Sequence, residues 1–180
     1  MPEEELNAVV TQRLEVTPDL VILRVTPDGW DLPPFDAGQF AVIGLSRNAP
    51  RTEYSDPVED YDEPGTGLIR RAYSIASSSV ATEYLEFYVT LVRSGALTPR
   101  IFALEIGDRL WLGPKITGMF TLQDVPENKN VVMVATGTGL APYMSMLRTY
   151  LRVHKDRHFV VLHGARHSWD LGYRAELETM

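Results

Sequence analysis

The sequence predicts a chain in two parts, an antiparallel β-barrel followed by an α/β unit built on a parallel sheet. Three observations carry that prediction. From Leu6 to Leu122 short alternating runs are separated by Pro, Asp and Gly turns, a single short helix start interrupts them, and from Asn130 a continuous apolar run enters a glycine turn. Short strands with regular turn punctuation are the pattern of a closed all-β unit. An unbroken apolar run is what a strand buried on both faces of a parallel sheet shows.

Composition sets the limits. At 180 residues, 44% hydrophobic and 23% charged, the chain can bury one or two small cores. A net charge of -7 and a pI near 5.1 argue against nucleic acid or an anionic membrane as the main partner, because both need a basic surface. With no cysteine there is no disulfide, thiolate zinc site or cysteine-ligated iron-sulfur cluster in this chain. The start, Met1 to Glu5, is acidic and lacks the cationic and apolar regions of a leader, and no apolar run reaches membrane-spanning length. The expectation is a cytoplasmic protein without membrane insertion.

The elements follow in order. Ala8 to Glu15, Leu20 to Thr26 and Gln39 to Leu45 read as strands, punctuated by Pro18-Asp19, by Pro27-Asp28-Gly29 and by a loop whose Pro33 and Pro34 prevent pairing. Between Arg47 and Gly67, prolines and the acids Glu53, Asp56, Glu59, Asp60, Asp62 and Glu63 read as an exposed loop, with no ligand spacing to suggest a metal. Arg71 to Ser77 is the next strand. An extended backbone sets Arg71 and Tyr73 on one face and Ala72 and Ser74 on the other, which suits either an ordinary polar-faced strand or a seat for a flat anionic ligand such as a flavin with a pyrophosphate tail.

Tyr84 to Val92 alternates as a core strand. In Gly95-Ala96-Leu97-Thr98-Pro99 a glycine turn, a threonine N-cap and a proline at the first helical position predict a short helix over Arg100 to Leu104. It is either a simple capped helix or a diphosphate seat beside the Arg71 strand. Arg109 to Leu112 and Gly118 to Leu122 complete six or seven strands, and Asp124 to Lys129 reads as a linker.

Val131 to Ala135 then runs into Thr136-Gly137-Thr138-Gly139-Leu140-Ala141-Pro142, a helix with Met144, Leu147 and Leu151 on one stripe, and a second strand, Phe159 to Leu162, ending at His163-Gly164-Ala165-Arg166. Strand, glycine turn, helix, strand is half of a nucleotide-binding unit. Gly137-x-Gly139 lacks the third glycine of the full dinucleotide fingerprint, since Pro142 stands there. Arg166 stands where an NAD site would carry an acid, and a cation there suits a 2′-phosphate, favouring NADP(H). His154, His158, His163 and His167 show no metal spacing and read as structural or surface groups.

Taken together, R-x-Y-S at Arg71 to Ser74, G-x-L-T-P at Gly95 to Pro99, the glycines 113 and 118 with Phe120, T-G-T-G-x-A-P at Thr136 to Pro142 and H-G-A-R at His163 to Arg166 resemble the bacterial branch of the ferredoxin-NADP(+) reductase family over nearly the whole chain. The resemblance implies an antiparallel six-stranded Greek-key β-barrel for FAD over residues 1–124. It implies an α/β parallel-sheet nucleotide-binding domain over residues 125–180, incomplete in this chain. On that pattern Arg71 pairs with the FAD diphosphate, with the backbone amides of Ala96, Leu97 and Thr98. Beyond Ala72, Tyr73 stacks on the isoalloxazine and Ser74 bonds near N5, the two residues at the reacting centre. Val89, Thr90 and Leu91 line the flavin edge or ribose. Thr138 sits where the cofactors meet, Gly137 and Gly139 let NADP(H) approach, and Ala165 and Arg166 hold the 2′-phosphate, with Arg174 a further candidate.

The implied activity is hydride transfer between NADP(H) and flavin N5, with one-electron exchange to ferredoxin or flavodoxin. The alternatives are an NAD(P)H-dependent flavin reductase or diaphorase with another acceptor, and a non-catalytic flavin-binding module. Arg70, Arg93 and Arg100 are either a basic docking patch for an acidic carrier or scattered surface arginines. Two departures from the family pattern bear on activity: the Arg47 to Gly67 loop is long, and only two strands of the parallel sheet precede Met180. The expectation from the second is FAD binding without efficient turnover.

Overall fold

The computed structural model describes residues 6–57, 67–154 and 156–180. Strands β1 (Ala8–Thr17) and β2 (Leu20–Pro27) form a hairpin turning at Pro18-Asp19, with register irregularities after Val10 and Glu15. With β3 (Phe40–Ser46), β4 (Leu68–Ser74), β5 (Leu85–Thr90) and β6 (Arg109–Leu112) they make one antiparallel six-stranded sheet in the order β4-β3-β6-β1-β2-β5. The non-sequential neighbours are the Greek-key signature. The sheet curls until its edges β4 and β5 meet, but the ladder does not close. Among the described residues the edges join at the bridge Ile75↔Phe87, through the bond from the Ala76 amide to the Glu86 carbonyl at 2.7 Å and through the Glu86 amide, which donates to Ser77 Oγ at 3.1 Å.

Alternation explains the packing. Val21, Leu23 and Val25 of β2 point inward with Ile43, Phe87, Leu110 and Leu112 to form the barrel core, closed at one end by Ile101 and Phe102. Leu20 and Ile22 point outward, yet they too are buried, because the second unit covers them.

Three expectations are corrected here. Gly118 to Leu122 is not a strand, and Thr117 makes only an isolated bridge to Phe40. Helix α1 spans Thr98–Phe102 with Leu97 at its N-cap, so Thr98 is not the cap. Its hydroxyl instead accepts from the Val92 amide (3.0 Å) and donates to the Val92 carbonyl (3.1 Å), tying the helix to the end of β5. The segment 47–57 is not simply solvated: Thr52 N–H donates to Pro99 O at 2.9 Å and Asp56 N–H to Arg93 O at 3.1 Å, stapling its first half onto the 93–99 turn. Glu59, Asp60, Asp62 and Glu63 lie outside the described residues.

In the second unit β7 (Val131–Thr136) and β8 (Phe159–Gly164) pair in parallel from Val131↔Phe159 to Thr136↔Gly164. Between them a 3-10 turn over Gly137–Leu140 feeds helix α2 (Ala141–Tyr150), with Pro142 in its first turn, and a short α3 (Arg174–Leu177) follows β8. Met144 and Leu147 are buried as the helical stripe predicts. The β7 run is covered on one face only. Met133 and Ala135 are buried against α2, whereas Val132 and Val134 are 61% and 64% exposed. An all-apolar strand presents apolar side chains to both sides, and among the described residues α2 packs against just one of them.

Candidate functional site

Two walls meet at one cleft of about 760 Å³. The barrel wall is the β1–β2 turn, Thr17 to Leu20, with Thr90, Leu91 and Arg93 at the end of β5. The opposite wall is Thr136 and Gly137 at the end of β7 and Gly164 to His167, Trp169 and Asp170 after β8. Both walls are strand ends of an α/β unit and a barrel edge, the place where an open parallel sheet leaves a crevice. The structure therefore brings together Thr90 and Leu91, expected on the flavin side, with Gly137, Ala165 and Arg166, expected on the nucleotide side. Thr138 and Gly139 occupy the turn that follows.

That turn has room for a ligand. Gly137 has φ +51°, which favours glycine, and a Cβ built on either Gly137 or Gly139 would meet no atom within 4 Å. The imidazole Nε2 of His163 lies 3.0 Å from the Gly137 carbonyl and pins the turn, so this histidine is structural. No group of three or more metal-ligating side chains exists among the described residues.

The R-x-Y-S residues Arg71 to Ser74 do not line this cleft. The Ile75↔Phe87 bridge joins the two edges just after Ser74, and Arg71 and Tyr73 lie on the side of it where β4 is not paired with β5. Tyr73 packs on the barrel core, its ring edge-on to Phe87 at 6.4 Å, while Arg71 and Ala72 are exposed and Ser74 is half-buried opposite Phe40. Burial pushes the Tyr73 phenol up to about 12, against the opposing pull of the nearby Arg71 charge, so the ring stays neutral. Val89 is buried in the core, and its contribution to a ligand is limited to backbone. Near α1, the amides of Arg100 and Ile101 both donate to Leu97 O.

The side chains present on β4 suit a flat ring with a diphosphate tail in their chemistry: Tyr73 is a neutral aromatic ring and Arg71, two residues away, an exposed cation. The 2′-phosphate nucleotide fits the cleft, where open glycines stand beside an exposed arginine.

Other placements differ from expectation. Arg174 starts α3, pairs with Glu178 at 2.8 Å and does not line the cleft. Arg100 is 4% exposed and donates to Arg47 O and Ala96 O, Arg70 lies over the Trp111 ring at 4.3 Å, and Arg93 pairs with Asp19 at 3.3 Å. Arg100 is thus buried and not a surface arginine, while Arg70 and Arg93 are exposed.

The most consequential residue without a sequence signal is Glu86. It is 1% exposed on β5 and accepts from Arg24, Arg148 and Tyr173, each at 2.7 Å. Arg148, on α2, also binds Glu176 twice at 2.7 Å and donates to Ala76 O at 2.8 Å. Burial alone raises the Glu86 carboxyl, but the Arg148 charge and the hydrogen bonds of Arg148, Arg24 and Tyr173 bring it below its ordinary value. Two residues along, Tyr88 donates to Asp170 O and accepts from Gly172 N–H, and its ring stands edge-on to Tyr173 at 5.0 Å. One face of β5 thus carries Glu86 and Tyr88 as the lock between the units and Thr90 as a wall of the cleft.

Comparison with known proteins agrees with this geometry. The model of the oxidoreductase NAD-binding domain family matches residues 133–180. The flavodoxin/ferredoxin-NADP reductase of Buchnera aphidicola subsp. Baizongia pistaciae is 33% identical over 147 residues, covering 82% of this chain and 52% of the relative. The ferredoxin-NADP reductase of Azotobacter vinelandii is 36% identical over 140 residues, covering 78% and 47%. Over about four fifths of its length the chain is similar to ferredoxin-NADP reductases. It spans about half the length of the curated relatives it matches. A solved ferredoxin NADP+ reductase from Neisseria gonorrhoeae with bound FAD and NADP shares the fold, with a TM-score of 0.76 over 96% of this chain and 62% of that one at 24% identity. No helix among the described residues is long and apolar enough to cross a membrane.

Proposed function

We propose that this chain is the cofactor-binding part of a cytoplasmic FAD-dependent ferredoxin- or flavodoxin-NADP(+) reductase, with residues 1–124 holding FAD and residues 125–180 receiving NADP(H). The observation that supports it is the single cleft in which Thr90 and Leu91 face Gly137, Ala165 and Arg166. When bound, FAD supplies the ability to take a hydride and to give up electrons one at a time.

The chain's own residues position and shield. Arg71 neutralises the diphosphate, and a guanidinium does this with directed, charge-assisted bonds. Tyr73 offers a neutral ring face, kept uncharged by its burial, and Ser74 presents a hydroxyl at the adjoining edge. Thr138, at the head of the turn above β7, stands where a nicotinamide must approach. Arg166 selects the 2′-phosphate by charge. Holding both rings side by side replaces a bimolecular encounter with a fixed approach. No acid or base is required of the protein for the hydride step.

A second reading, an NAD(P)H-dependent flavin reductase or diaphorase, is favoured by the burial of Arg100, which takes one cation out of the basic surface that docking of an acidic carrier would use. The test of the first step is titration of the purified protein with FAD, followed by quenching of flavin fluorescence. Saturable one-to-one binding supports the reading, and a protein that takes up no FAD overturns it.

A further inference from the structure

Beside Arg166 the cleft carries an aromatic pair that no step above uses. His167 and Trp169 stack with ring centroids 4.6 Å apart and planes 6° from parallel. Both line the cleft, and Trp169 is 66% exposed, a large apolar surface to leave in water. The pair is braced: His167 Nδ1 lies 3.1 Å from the Asp170 carboxylate, and Tyr88 holds the Asp170 carbonyl and the Gly172 amide from the barrel side. A rigid indole with one face backed by an imidazole and the rest open, three residues from an exposed arginine, has the properties of a base-stacking platform next to a phosphate cation.

We propose that Trp169, braced by His167, stacks on the adenine ring of the nucleotide whose 2′-phosphate Arg166 takes. This rests on the NADP(H) reading of the cleft and deepens it. Stacking on an aromatic side chain is sequence-tolerant but face-specific, so it fixes the adenine end while the glycine turn receives the remainder of the dinucleotide.

The test uses 2′,5′-ADP, which carries the adenine and the 2′-phosphate but no nicotinamide, with tryptophan emission as the readout. Trp30 donates to Asn7 O and packs on the barrel core, and Trp111 lies beneath Arg70, so Trp169 is the tryptophan that lines the cleft. The parent protein is expected to bind with quenching. Trp169→Ala is expected to lose the quench and about 5- to 150-fold in affinity, while Trp169→Phe keeps most of the affinity. Ribose 2-phosphate, which keeps the phosphate that Arg166 takes but has no base, is expected to bind parent and variants alike, and unchanged FAD affinity shows that the variants are folded. Equal affinity of the parent and Trp169→Ala for 2′,5′-ADP overturns the platform and leaves the nucleotide site standing, whether or not emission changes. A parent protein that does not bind 2′,5′-ADP overturns the nucleotide reading itself, and the platform with it.

Discussion

Substituting Glu86 by Ala removes the acceptor that three side chains share. Arg148 keeps Glu176, and Arg24 has a third of its side chain open to water (33%), so both cations retain partial compensation. Removing one partner of a buried pair costs ~3–5 kcal/mol, and that compensation places this case near ~3 kcal/mol. For a domain of this size each kcal/mol moves Tm by about 2–4 °C, so a fall of roughly 6–12 °C is expected in thermal unfolding. Glu86→Gln is expected to lose less, because the amide oxygen still accepts from one arginine.

The two variants also predict a pH effect. The folded carboxyl titrates below its ordinary value of 4.5, so near that value the unfolded chain binds more protons than the native one. The stabilisation from Glu86 is therefore complete above that pH and is lost as pH falls through the lower folded pKa. Glu86→Gln should show a flatter fall in Tm in that acid range than the parent. An Ala variant that melts with the parent, or a Gln variant with the parent's acid dependence, would refute the network as the lock between the two units.

Three further outcomes follow from the site. Arg71→Ala removes charge-assisted bonds worth ~1.5–3 kcal/mol, so FAD affinity by fluorescence titration should fall roughly 10- to 150-fold with little change in Tm. Arg166→Ala should weaken 2′,5′-ADP by a similar factor while leaving 5′-ADP nearly unaffected, as measured by competition. In Gly172→Ala the new Cβ would stand 2.4 Å from the Tyr88 hydroxyl, so the 170–174 segment must move off β5, and nucleotide affinity should drop while FAD binding is kept.

Much of this was legible because local chemistry and tertiary role coincide. The β1–β2 turn, the β7 run and the α2 stripe each need only nearest-neighbour patterning, and they stand where the sequence places them. Arg71, Tyr73 and the turn glycines stand out in the sequence because their residue types would suit the proposed ligands and their spacing is local. The misses have physical causes. Gly118 to Leu122 has strand-like composition but finds no continuous partner edge. Thr98 has the chemistry of an N-cap, yet its hydroxyl is taken by Val92, a contact set by the β5 turn. Glu86 reads as one more strand acid, since nothing local shows that Arg148 and Tyr173, 62 and 87 residues later, arrive to neutralise it. Trp169 is likewise unremarkable in sequence until β8 delivers it to the cleft.

The central claim is that one cleft lets a 2′-phosphorylated nicotinamide nucleotide meet the flavin. Anaerobic mixing of the FAD-loaded protein with stoichiometric NADPH or NADH, followed in the visible flavin band, tests it most directly. The account predicts bleaching by NADPH that is faster than by NADH, with the preference lost in Arg166→Ala. A bound flavin that NADPH leaves oxidised, or one that NADH reduces equally fast, would contradict it.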